Sequence, residues 1–122
     1  MQSLPKISEA EWTVMKTVWA KAPRTAQEII DAVAPQEGWH PKTVKTLLNR
    51  LVKKKALGFE KLGRAYLYRP LVAEADCVTE ASHSFLERVF GGSLRPMLAH
   101  FVEHDQLTGD EIAELKALLR KK

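Results

Sequence analysis

Six Lys or Arg fall between Lys42 and Lys55, and no Asp or Glu occurs from Lys42 to Phe59. The segment reads as a helix opening at Pro41, where proline's missing N–H costs nothing. Val44, Leu47, Leu48 and Leu51 then share one side, at i, i+3, i+4, i+7 spacing. At about 100° per residue, Lys42, Thr46, Asn49, Arg50 and Lys53 share the other, flanked by Thr43 and Lys45. This is binding chemistry. Arg forks onto O6 and N7 of guanine, Thr offers a hydroxyl and meets the thymine methyl, and Lys neutralises phosphate. A helix docked by its leucines with that face outward fits a DNA major groove. The plain alternative for one isolated helix is a solvated charged face.

Other reactive residue types lead less far. His100-Phe101-Val102-Glu103-His104 matches the H-x-x-E-H pattern of some zinc proteases. A catalytic zinc also needs a third ligand and a walled cleft, which 122 residues do not readily supply. We therefore expect no enzyme activity, no metal, no cofactor and no small-molecule substrate. Cys77 is the only cysteine, which excludes an internal disulfide framework and fits a reducing cytoplasm. On a helix it reads as a small packed residue, with a bridge to a second Cys77 as the rarer option. Trp12 and Trp19 lie on a helical apolar stripe and read as core. Trp39 reads as packing beneath the turn before the cationic helix.

The elements that position these residues follow from caps and breakers. Ser8-Glu9-Ala10-Glu11 is a capping box opening a first helix, whose apolar face is Trp12, Met15, Val18 and Trp19 and whose bound is Pro23. Thr25-Ala26-Gln27-Glu28 opens a second, carrying Ile29, Ile30 and Val33, with Pro35 and Gly38 expected to end it. The third runs from Pro41 to about Lys54. Leu57–Leu62 and Ala65–Pro70 then read as two strands around a Gly63-Arg64 turn, with Pro70 stopping the ladder. Three helices and a hairpin are the order of a winged helix-turn-helix, with Arg64 and Lys61 on the wing near phosphates. Tyr66 and Tyr68 share one strand face and support it.

After Pro70 the periodicity is helical again. Val78, Ala81, Phe85, Leu86, Val89 and Phe90 form a stripe on a long helix from about Ala73, broken at Gly91-Gly92. A short helix from about Leu94 presents Met97, Leu98, Phe101 and Val102. Thr108-Gly109-Asp110-Glu111 opens a last helix with Ile112, Leu115, Leu118 and Leu119. Residues 1–71 hold 13 Lys or Arg against 6 Asp or Glu, and residues 72–122 hold 6 against 9. That asymmetry suggests a polyanion-binding part and a part with another task. So small a helical unit buries too little surface alone. We therefore expect 1–71 to be the DNA-binding domain. We expect 72–122 to form a two-fold dimer through Val78, Phe85, Leu86, Val89, Met97, Leu98, Phe101, Val102, Ile112, Leu115 and Leu119. No apolar run is long enough to span a bilayer, and the N-terminus lacks a signal-peptide core.

I-S-E-A-E-W-T-V-M-K-T-V-W (Ile7–Trp19), H-P-K-T-V-K-T-L-L-N-R-L (His40–Leu51) and F-V-E-H-D-Q-L-T-G-D-E-I-A-E-L (Phe101–Leu115) make the chain resemble the BlaI/MecI penicillinase and methicillin-resistance repressors. The resemblance implies a mostly α fold with a β-hairpin wing, and a cytoplasmic homodimer on palindromic double-stranded DNA. It also implies that Lys42, Thr43, Thr46 and Arg50 touch operator bases or adjacent phosphates. In the best-known members a membrane sensor-protease detects a β-lactam, and the repressor is then cut at an Asn-Phe bond. The matching bond here is His100-Phe101, with His in place of Asn, so a sensor of the same specificity meets a changed site. Phe101 reads equally well as a dimer-core aromatic. His40 stands where relatives often carry Ser, and is expected to cap poorly or to meet a phosphate. A related branch of copper-responsive repressors carries paired C-terminal cysteines, absent from this sequence. The alternative from another class is an adaptor whose basic helix meets an acidic protein.

Overall fold

Side-chain caps decide where the helices begin. The computed structural model describes residues 4–121. Its elements run α1 (Glu9–Ala20), β1 (Arg24–Thr25), α2 (Ala26–Glu37), α3 (Pro41–Lys53), β2 (Leu57–Leu62), β3 (Ala65–Pro70), α4 (Glu74–Phe90), α5 (Leu94–Glu103) and α6 (Gly109–Arg120). Ser8, Thr25 and Thr108 each accept the N–H three residues on, and Glu11, Glu28 and Glu111 reach back to the cap N–H. All three capping boxes read from sequence are formed. The chain divides into two compact units, the first ending at Val78 and the second beginning at Thr79.

In the first unit, α1, α2 and α3 enclose one core. Val14, Met15 and Val18 meet Ile29, Ile30 and Val33 of α2 and Val44, Leu47, Leu48 and Leu51 of α3, closed by Ala56 and Leu57. Each such side chain contributes about 1.5–3 kcal/mol relative to its exposed state. Trp19, Trp39, Tyr68 and Val72 pack against this cluster half-buried. Trp12 is also only half-buried, its ring 5.5 Å from that of Trp19; the fully buried positions of α1 are Glu11, Val14, Met15 and Val18. β2 and β3 pair antiparallel from Leu57↔Pro70 to Leu62↔Ala65. The wing is thus the expected hairpin.

Three features differ from the sequence reading. The sheet has a third strand, β1, pairing Arg24 with Tyr68 and Thr25 with Leu67. Two residues after a proline, the second of them the cap of α2, carry no periodicity to detect. Pro35 does not end α2, which continues to Glu37. Its ring suits helical φ, and both Pro35 and Asp31, whose carbonyl loses its partner, are exposed to water. Gly38, at φ 69°, ends the helix instead. Finally, the root of α4 belongs to the first unit. Trp19 Nε1 donates to the Val72 carbonyl at 3.0 Å, Lys16 pairs with Glu74 at 2.6 Å, and Cys77 is buried.

The second unit has a different character. Gly91 and Gly92, at φ 63° and 87°, turn the chain out of α4. No described residue from Thr79 onward is buried. Leu86, Phe90, Met97, Leu98, Phe101, Ile112 and Leu115 are half-buried, while Phe85, Val89, Val102 and Leu119 are exposed. Phe90 lies 6.0 Å from Phe85 and 6.3 Å from His100, ring centre to ring centre.

Candidate nucleic-acid interface

α3 is held at both ends as well as along its leucine side. Pro41 occupies its first turn and His40 caps it, Nδ1 accepting the Lys42 N–H at 3.0 Å. The expected poor cap is therefore a formed one. At the other end, Ala56 N–H reaches the Leu51 carbonyl and Lys55 N–H the Val52 carbonyl, both at 3.0 Å. This is a Schellman closure with Lys55, at φ 65°, where glycine is usual. A lysine there costs about 1–2 kcal/mol.

With Val44, Leu47, Leu48 and Leu51 buried, Lys42, Thr43, Lys45, Thr46, Asn49, Arg50 and Lys53 are all exposed. The structure brings these seven together on one helix. Thr46 Oγ1 donates back to the Lys42 carbonyl at 3.0 Å, which leaves its oxygen free to accept. Arg64 lies exposed on the wing, beside Gly63 at φ 65°. Glycine at the first of two tip residues is what a type II′ hairpin turn requires. The wing is stiffened by Phe59, edge-on to Tyr66 at 5.1 Å and tilted against Tyr68 at 5.8 Å, and by an Arg69–Glu60 ion pair. Burial, then the neighbouring Tyr66, pushes the Tyr68 phenol up.

Lys54 has a separate task that sequence reasoning missed. Its ammonium reaches Glu11 Oε1 at 2.5 Å and the Lys6 carbonyl at 2.8 Å. The same carboxylate oxygen accepts the Ser8 N–H at 2.9 Å. The C-terminal end of α3 is thereby strapped to the start of α1. Burial of Glu11 opposes its charge, but the Lys54 and Ser8 hydrogen bonds outweigh that, and the carboxyl lies below its ordinary value. Separated by 43 positions, the pair leaves no local sequence signal.

Elsewhere the reactive residues are quiet. Burial, then Asp76, raises the Cys77 thiol, so it is a poor nucleophile. His100 and His104 stack with ring centres 4.2 Å apart, and His104 Nδ1 lies 2.8 Å from the His100 carbonyl. That is a stacked pair rather than a convergent chelate. Among the described residues, no group of three or more His, Cys, Asp or Glu is placed to hold a metal. No described helix is long and apolar enough to cross a membrane. The His100-Phe101 bond lies within α5, with His100 exposed and Phe101 half-buried.

A three-helix core, a strand-paired wing and an exposed cationic third helix together define a winged helix-turn-helix DNA-binding protein. Comparison with known proteins narrows that class. The family model described as penicillinase repressor matches residues 7–121. The penicillinase repressor of Bacillus licheniformis is 42% identical over 121 residues, spanning 99% of this chain and 94% of that protein. The methicillin resistance regulatory protein MecI of Staphylococcus aureus (strain N315) is 38% identical over 117 residues, spanning 96% and 95%. Among solved structures, monomeric B. licheniformis BlaI in complex with the blaP half-operator superposes with a TM-score of 0.55. It is 41% identical, over 62% of this chain and 93% of that one. The chain belongs to the penicillinase repressor family.

Proposed function

We propose that this protein is a transcriptional repressor that binds inverted-repeat operators as a homodimer and controls resistance genes of the β-lactamase type. The observation that carries the reading is the outward face of α3, whose seven exposed polar or cationic residues are free of any acidic neighbour on the helix. Arg50 and Thr46 supply base contacts, Lys42, Thr43, Lys45 and Asn49 read or flank them, and Lys53 and Arg64 neutralise phosphates. The half-buried and exposed apolar residues of α4, α5 and α6 supply the dimer contact, completing a core that one chain leaves open. Two reading helices on a two-fold axis then demand half-sites about one helical turn, or a multiple, apart.

Relief of repression fits cleavage of the His100-Phe101 bond by a membrane sensor-protease, because a cut in α5 divides the dimer-forming unit. A bond inside a helix must first be locally unwound. The exposed His100 is the side chain such a protease would meet first.

The test is a mobility shift on the inverted repeat in the protein's own promoter across a salt series, with sedimentation to count chains. Salt-dependent binding of two chains per repeat is expected. Salt-insensitive or absent binding would transfer the basic helix to an acidic protein partner.

A further inference from the structure

The two nitrogens of His40 do different work. Nδ1 accepts the backbone N–H of Lys42 at 3.0 Å. A backbone amide only donates, so Nδ1 must carry a lone pair, and a neutral ring then holds its proton on Nε2. The nitrogens point in widely different directions around the five-membered ring. Folding Nδ1 over the first turn of α3 therefore turns Nε2–H outward. His40 is exposed, and among the described residues its Nε2–H has no partner. The surroundings are cationic, with Lys42 and Lys45 exposed in the turn that follows. Glu37, the last residue of α2, is the nearest acidic position in the chain.

An Asp cap satisfies the helix but has no donor, and a Ser or Thr cap keeps its O–H on the capping atom itself, on a side chain shorter than the imidazole ring that carries Nε2–H. Histidine does both. For a helix lying in a major groove, the residue just before its first turn sits off the face that meets the bases. Phosphate and sugar oxygens accept about half or more of all protein–DNA hydrogen bonds. We propose that His40 is a phosphate-contact residue of each half-site, donating from Nε2–H while Nδ1 holds the start of α3. This assignment rests on the DNA-binding reading above. The contact is made by a neutral ring, because an imidazolium Nδ1–H cannot accept from Lys42. It strengthens binding to every sequence alike and releases no counterion.

The experiment compares the parent protein with H40S and H40A. Fluorescence anisotropy is read on the promoter repeat and on a scrambled duplex of equal length, across a salt series. A long-range ¹H–¹⁵N spectrum of the free protein reads the His40 tautomer. Nε2-protonated His40 is expected. H40S keeps a capping hydroxyl but not the reach of Nε2, so it should melt with the parent yet bind both duplexes about 3- to 10-fold more weakly, one lost hydrogen bond, with an unchanged salt slope. H40A loses the cap as well and should melt lower. H40S binding as tightly as the parent overturns the assignment alone, and so does a shallower H40S salt slope, which would mean a charged ring. A parent protein that binds neither duplex overturns the DNA reading and takes this assignment with it.

Discussion

In the unit ending at Val78, three helices and a sheet bury a closed apolar cluster whose members are nearly all under 5% exposed. In the unit beginning at Thr79, three helical segments bury none of their described residues, and Val89, Leu94, Val102, Leu118 and Leu119 are each at least half exposed. The amino-acid types are similar, so hydrophobicity alone does not explain the contrast. The first unit has enough chain to wrap its own core; the second, far shorter, buries none of its described residues. A reading helix mounted on a self-sufficient core can keep its geometry while the second unit associates or comes apart.

The largest effect should come from closing the second unit's route to burial. Leu98 lines an apolar groove on α5 with Leu94 and Val102. L98E should yield monomers in sedimentation and reduce affinity for the full inverted repeat about 10²- to 10⁴-fold, the avidity that linked sites supply. Binding to a single half-site should persist. A dimeric L98E would move the contact to another face and break the comparison.

Next comes a matched pair of truncations. Leu51 is fully buried and Leu119 is 68% exposed. L51A should lower the stability of the first unit by roughly 2–5 kcal/mol. L119A in the monomeric L98E background should change the stability of the second unit by less than about 0.5 kcal/mol. Denaturant titration checks both. Equal costs would mean that the second unit has a core of its own.

Smaller effects separate residues within the reading helix. R50A should weaken operator binding by roughly 1–3 kcal/mol and relax the preference at one base pair. K53A should weaken all sequences alike and reduce the salt slope by about 0.9. Competition binding against single-base operator variants distinguishes the two.

Much of this design was legible in the residues. Ser8, Thr25 and Thr108 announced three helix starts through local capping chemistry. The leucine spacing after Pro41 placed Thr46 and Arg50 outward, and Gly63-Arg64 marked the wing. What escaped was set by distant partners or by conformations that residue type alone does not show. β1 exists because β3 offers Arg24 and Thr25 an edge. Pro35 stays inside α2 because it and Asp31, whose carbonyl it leaves without a partner, are exposed to water, which composition does not reveal. His40 caps because its ring folds back on Lys42, a conformational choice that residue type alone disfavours.

Glu11 is the sharpest case of such hidden chemistry, and it gives the finest test. Its carboxylate is 1% exposed and bound to Lys54 and Ser8. Although burial pushes its pKa upward, those partners prevail and the folded-state value lies below the ordinary 4.5. A group depressed on folding contributes stability that is complete above its unfolded pKa and is lost as pH falls through its folded one. The melting temperature of the first unit should therefore hold steady near neutrality and fall once the pH drops below the ordinary carboxylate value of 4.5 and through the lower folded-state one. E11Q keeps the shape and an acceptor for Ser8 but removes the charge, so it should start lower at neutral pH and show a shallower acid limb. Glu28, depressed by its Thr25 cap bonds, retains part of that limb in both proteins. Identical acid limbs in E11Q and the parent would mean that the strap from Lys54 to Glu11 carries no pH-dependent stability. The strap would then add nothing to the hold that the leucines, the His40 cap and the closure at Lys55 already give α3.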